Sequence, residues 1–163
     1  MDWQITVGTP DQLSCTDVAD CLVVISEGDA VDPASAGDEL PLSLLVAMAR
    51  IETAIVGVAV IKRPRPGYAA SVAKKSGFAL PVDLPELGYT AVRKKHHGLG
   101  IGSTLVSAVL ANYGEKPLYA TTSHPAMKKR LAHEKFSRVG KTWAGKHGEL
   151  TLWLLRYDLP EII

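Results

Sequence analysis

The chain is poor in sulfur: Cys15 and Cys21 are its only cysteines, six positions apart and in no C-x-x-C pattern. That excludes a disulfide framework and a four-cysteine zinc site, and leaves two ordinary free thiols of a reducing compartment. A dominant charge is missing too. Lys and Arg number 18 against 17 Asp and Glu, for a formal net charge of +1. A protein built to coat nucleic acid is normally strongly basic, so no nucleic-acid partner is expected. Nor is there a long apolar run. The longest, around Leu42–Ala49 and Ala54–Ile61, fall far short of the ~20 residues that span a bilayer, so no membrane partner is expected. Met1-Asp2-Trp3 lacks the basic and apolar pattern of a secretory signal, which makes the cytoplasm the expected location. Repeats and low-complexity blocks are absent as well.

What remains is the balance of a globular protein, 47% hydrophobic and 21% charged residues. At 163 residues the expectation is one domain, 1–163, able to bury roughly 70% of the surface its unfolded chain exposes. Trp3–Val7 alternates as a first strand, ended by Gly8-Thr9-Pro10. A helix opens at Thr9 or Pro10, with Leu13, Val18, Cys21, Leu22 and Ile25 as its apolar positions. Glu27–Asp38 reads as a loop or short, weak helix. Leu42–Glu52 and Thr53–Lys62 read as an antiparallel hairpin, whose near-continuous apolar stretch Ile55–Ile61 calls for cover on both faces. Pro64 and Pro66 stop it, and Tyr68–Lys75 allows one or two helical turns. Glu86–Arg93 reads as a central strand and Gly98–Gly102 as a turn. Ser103–Tyr113 follows as a helix stopped by Gly114, and Leu118–Thr122 as a strand. A further helix has Ser123 as its cap, Pro125 in its first turn, and Met127, Leu131 and Lys135-Phe136 inward. Ser137–Trp143 and Leu150–Tyr157 close the chain as paired strands across Gly145–Gly148. The fold class is α/β, a mixed and mostly antiparallel sheet flanked by helices.

The segment that points to chemistry is the strand, glycine turn and helix over Glu86–Tyr113. A helix start leaves backbone N–H groups without intrahelical partners at the positive end of its dipole. Glycines ahead of it adopt positive φ and let a ligand approach the backbone. Together they make an anion site suited to a pyrophosphate; alone, the glycines allow only a tight turn. G-x-G-x-x-G fails at Ser103, and G-x-x-x-x-G-K-[ST] fails at Lys135, so the dinucleotide and P-loop fingerprints are excluded. The five histidines His96, His97, His124, His133 and His147 form no H-E-x-x-H, and no metal is expected.

Ala91-Val92-Arg93-Lys94-Lys95-His96-His97-Gly98-Leu99-Gly100-Ile101-Gly102-Ser103 resembles the acetyl-CoA motif of the GNAT superfamily of N-acetyltransferases. That motif is a strand ending in Val, then (Gln/Arg)-x-x-Gly-x-(Gly/Ala), then a helix. Gly100 and Gly102 match the fixed positions, and His97 stands where Gln or Arg is usual. His124-Pro125 through Lys135-Phe136 resembles the family's later Asn-led helix closing in Gly-Phe, with His124 for the Asn and Lys135 for the Gly. The element order agrees over roughly residues 1–157.

The resemblance implies a single-domain GNAT-type fold that transfers acetyl from acetyl-CoA to a primary amine by direct attack, without a covalent enzyme intermediate. It implies a pantetheine arm pairing along Ala91–Arg93 and a pyrophosphate on the amides of Gly98, Leu99, Gly100, Ile101, Gly102 and Ser103, with His97 beside a phosphate oxygen. The Val92 N–H would hold the acetyl carbonyl, and strands Glu86–Arg93 and Leu118–Thr122 would splay to admit the coenzyme. The cluster Arg93-Lys94-Lys95 would attract its phosphates, or is a solvated face. Some family members carry a catalytic Glu where Glu86 stands. Its even separation from Val92 puts both on one face of a regular strand; the other reading of Glu86 is a strand-end carboxylate paired to a nearby Lys or Arg. Leu131 occupies the position of the family's usual Tyr acid, which leaves His133, Tyr89, Tyr119 or water for that role. A non-catalytic acyl-CoA-binding module is the rival expectation. The acceptor, a small molecule or a protein amine, is set by loops such as Ala30–Pro41 and Pro64–Pro85 and is not legible. Exposed sheet edges often pair, which leaves room for a homodimer.

Overall fold

The computed structural model describes residues 2–28 and 33–157. Gly8 ends β1 (Gln4–Gly8), and Ser14 opens α1 (Cys15–Ser26). Ser14 Oγ accepts from the Asp17 N–H at 3.0 Å. The long helix therefore starts at Cys15, not at Thr9 or Pro10, and Pro10–Gln12 forms a separate 3-10 turn. The capping side chain decides the start, because it satisfies one of the orphan donors of the first turn. Residues 30–32 of the expected Ala30–Pro41 loop lie outside the described residues, and Pro33–Glu39 is helical (α2).

By its internal contacts the chain forms two compact units. One is Met1–Arg63 with Leu87–Gly114, and the other is Pro64–Glu86 with Glu115–Ile163. In the first, β2 (Leu45–Ile51) and β3 (Ala54–Lys62) are the expected antiparallel hairpin, and β1 pairs antiparallel with β2. β4 (Glu86–Val92) lies along the other edge of β3. The apolar run of β3 is covered on both faces. On one, Val58 and Val60 join Cys21, Val24 and Ile25 of α1 and Tyr89 of β4 in a common core. On the other lies α4 (Ile101–Tyr113), set close because Gly57 has no side chain. A Cβ at residue 57 would come within 2.8 Å of Leu105 Cδ1 and 3.2 Å of Ile101 Cγ2.

The second unit starts with α3 (Pro66–Ser76). Three turns stand where one or two were expected, because Pro66 serves as the first helical residue, a position that needs no N–H. The expected loop Pro64–Pro85 is thus helical over half its length. β5 (Leu118–Thr122), α5 (Pro125–His133), β6 (Ser137–Gly145) and β7 (Gly148–Leu155) follow. β5 and β6 both pair antiparallel with β7. Helix α5 takes His124 rather than Ser123 as its N-cap, since the Thr122 hydroxyl accepts the His124 N–H at 3.0 Å. β4 runs parallel to β5, with Glu86 opposite Tyr119. The hydrogen-bonded order is β1-β2-β3-β4 in the first unit and β5-β7-β6 in the second, and with the parallel pair of Glu86 and Tyr119 the pairing is mixed and mostly antiparallel, as the pattern of runs predicts.

Candidate coenzyme site and its surroundings

The glycine turn has the backbone that its sequence calls for. Gly98 and Gly100 adopt φ of 82° and 81°, a left-handed conformation that costs an L side chain roughly 1–2 kcal/mol. A Cβ on either residue would meet no protein atom within 4 Å. Packing therefore does not demand the glycines; the backbone bend does, and the space beside it stands open. Helix α4 begins at Ile101, two residues before the expected Ser103. Gly100 is its N-cap, and no side chain caps the helix. The Thr104 N–H and hydroxyl both donate to Gly100 O, at 3.1 and 2.9 Å. The amides of Ile101, Gly102 and Ser103 come before the first intrahelical bond and face out of the helix mouth. Ile101 and Gly102 are buried within the first turn, while Gly98, Leu99, Gly100 and Ser103 are exposed. Gly102 is helical, so only Gly98 and Gly100 use the left-handed region.

His97 has a partner in the protein. Its Nε2 lies 2.7 Å from Val92 O; with a carbonyl opposite, Nε2 carries the hydrogen and donates. The bond ties the end of β4 to the turn across a 3-10 turn at Lys94–His96, which the sequence does not reveal. The Arg93 N–H bonds Val56 O of β3 at 2.9 Å. Because N–H groups alternate along an extended strand, the Val92 N–H points away from β3.

β4 is not a regular strand. Tyr89 has φ of 48°, an uncommon conformation for an aromatic residue. Its ring is buried in the α1 core beneath Lys62 Nζ, 4.2 Å from the ring centroid. A left-handed residue between Glu86 and Val92 breaks the two-residue period. The even count that put those side chains on one face does not carry through it.

Glu86 is buried, with 7% of its side chain exposed, and its Oε1 accepts from Arg65 Nη2 at 2.9 Å. The ion pair, one of the two roles open to this residue, is thus present. Arg65 also lies over the Tyr68 ring, 4.5 Å from its centroid, and the Tyr68 and Thr121 hydroxyls are 2.8 Å apart. Tyr119 is fully buried, and its hydroxyl has no hydrogen-bond partner among the described residues. Burial, and then the charge of Glu86, push the Tyr119 phenol well above its usual range. The same two causes raise Tyr68. Both shifts weaken a phenol as a proton donor, and Tyr119 thereby loses ground as a substitute acid. Leu131 is fully buried in α5, while His133 is exposed. Among the described residues no group of three His, Cys, Asp or Glu side chains could hold a metal ion, and no helix is long and apolar enough to cross a membrane.

No protein-family model and no curated protein matches the chain. Solved structures do. An acyl-CoA N-acyltransferase from Pseudomonas aeruginosa aligns over 94% of this chain and 99% of its own, at 12% identity and a TM-score of 0.67. Escherichia coli ElaA aligns over the same shares at 12% identity and 0.70. A ribosomal-protein-alanine N-acetyltransferase from Brucella melitensis aligns over 93% and 98%, at 20% identity and 0.64. Their likeness lies in the course of the backbone, and by that measure the chain has the fold of the GNAT-family acyl-CoA N-acyltransferases.

Proposed function

We propose that the protein transfers an acetyl group from acetyl-CoA to a primary amine in a ternary complex, the whole chain acting as one GNAT-type domain in the cytoplasm. The observation that carries this reading is the uncapped mouth of α4 behind two left-handed glycines with open space beside them. Outward amides at the positive end of a helix suit a diphosphate. The Val92 N–H, directed away from β3, suits the acetyl carbonyl and the charge that develops on it. The amine nitrogen attacks the thioester carbon and a C–N bond forms. The C–S bond then breaks, its electron pair going to the coenzyme sulfur. The nitrogen gives up its proton to Glu86, directly or through water, and the thiolate takes one from solvent. Holding both reactants in one site supplies much of the rate.

Glu86→Gln tests the base. Gln keeps an oxygen for the Arg65 bond but takes up no proton. Acetylation, followed as free thiol release across an amine panel, should fall at least tenfold with acetyl-CoA affinity intact. Unchanged turnover removes Glu86 from the mechanism. Calorimetry against acetyl-CoA, CoA and ATP tests the site itself, and no affinity for any CoA species ends the reading. A buried Leu131 at the position of the usual acid favours a second reading, an acyl-CoA-binding module without turnover. Coenzyme affinity with no thiol release for any amine would select it.

A further inference from the structure

The cluster Arg93-Lys94-Lys95 has a second neighbour besides the glycine turn that follows it in the chain. With Glu27, at the C-terminal end of α1, it lines a hollow of about 450 Å3 inside the first unit. That volume suits a small ligand. Among the described residues the lining carries three cations and one carboxylate. Arg93 Nε is buried, and no group among the described residues accepts its hydrogen. The ion pairs of Asp17, Glu39, Glu86 and Glu115 are made to Arg50, Arg63, Arg65 and Arg156 instead. A buried guanidinium N–H without an acceptor costs free energy that an incoming anion would return.

Two further observations say which anion. First, α1 and α4 cover opposite faces of β3. α1 packs on the side of Val58, Val60, Tyr89 and Ala91, whereas α4 packs on Gly57 and Val92. The hollow opens at the end of α1, and the diphosphate cradle at the start of α4. Second, Arg93 follows Val92 directly, so its Cα is about 3.8 Å from that of the residue proposed to hold the acetyl carbonyl. A group seated in the hollow is near the acyl centre but on the other face from the coenzyme's phosphates.

We infer that this hollow binds the acceptor, and that the acceptor is an amine that also carries a carboxylate. The carboxylate lies against Arg93, Lys94 and Lys95, and Glu27 faces the acceptor's own cationic end. The inference rests on the transferase reading for the word acceptor, but the anion site can be tested without turnover.

The variant is Lys94→Glu with Lys95→Glu, two exposed positions where reversal of charge leaves the core intact. The acceptor panel consists of amino acids, each paired with its carboxamide. The wild type should show a KM at least about tenfold lower for the carboxylates than for the carboxamides, and the variant should lose that preference. The affinity for CoA, measured by calorimetry, should move less than twofold. A wild type that does not discriminate overturns the inference. So does a variant that keeps its acceptor preference while losing CoA, which would assign the cations to the coenzyme. If no amine is acetylated, the transferase reading falls by itself, and malonate titrated into the CoA-bound protein judges the hollow. Salt-sensitive malonate binding lost in the variant upholds the anion site. No binding overturns it and leaves the cations as complements to the negative end of α1.

Discussion

Replacing Gly100 by alanine separates what the turn needs from what its ligand needs. Gly100 sits at φ 81°, ψ 9°, and an added methyl would touch no protein atom within 4 Å. The only folding cost is left-handed strain, about 1 kcal/mol after the gain from a stiffer unfolded chain. For a protein of this size that lowers Tm by about 2–4 °C. Gly77 provides the control, at φ 72°, ψ 11°, with its nearest neighbour, Lys141 Cε, 4.0 Å away. Gly77→Ala should lower Tm by a similar amount. The two should part in calorimetry with CoA. A methyl on residue 100 projects into the space beside the helix mouth and should weaken binding at least about tenfold, or ~1.4 kcal/mol. Gly77→Ala should bind as the wild type does. Equal CoA affinity in both variants, with equal Tm loss, would refute the argument, since it would mean that nothing approaches this backbone.

Lys135 holds a left-handed φ of 72° where α5 ends. Lys135→Gly should raise the midpoint of urea unfolding by an amount worth about 0.5–1 kcal/mol, and no change would mean that the strain is absorbed elsewhere. Gly140→Ala should do the reverse. At φ 70° its Cβ would fall 2.8 Å from Ser76 O, a backbone atom that cannot swing aside, so a loss of more than ~1 kcal/mol is expected in the same assay. Burial, with Asp17 nearby, pushes the Cys21 thiol up from 9.0 to about 12. The folded protein then holds this proton where the unfolded chain releases it, so Cys21's contribution to stability is full below pH 9 and is lost between pH 9 and about 12. At pH 8 a thiol reagent should label exposed Cys15 and reach Cys21 only on unfolding.

The strand and helix order was legible because the signals are local: apolar period, proline, glycine. Ile55–Ile61 reads as a strand covered on both faces, and α1 and α4 lie there. The misplacements have local causes of another kind. The start of α1 turns on the Ser14 hydroxyl, one of several small polar residues that could have capped it. The positive φ of Tyr89 has no signal in the sequence, because nothing marks an aromatic residue for left-handed backbone, and so a parity count drawn through β4 was bound to miss it. The bond from His97 to Val92 O and the hollow between Glu27 and Arg93 join residues whose proximity depends on tertiary packing. Lys135 is the opposite case: the departure from Gly-Phe is visible in the sequence, and only its left-handed backbone belongs to the fold.

Gly57 bears on how this protein could be changed. The side chains of Ile101 and Leu105 lie directly over the β3 backbone there, where a Cβ would come within 2.8 Å of Leu105 Cδ1. The proposed coenzyme seat begins at Ile101, so bulk gained at position 57 would press on the side chains of Ile101 and Leu105 beneath its first turns. Under that proposal, a change of acyl donor is more readily made in the loops than on this face, where even a methyl would displace a side chain of α4.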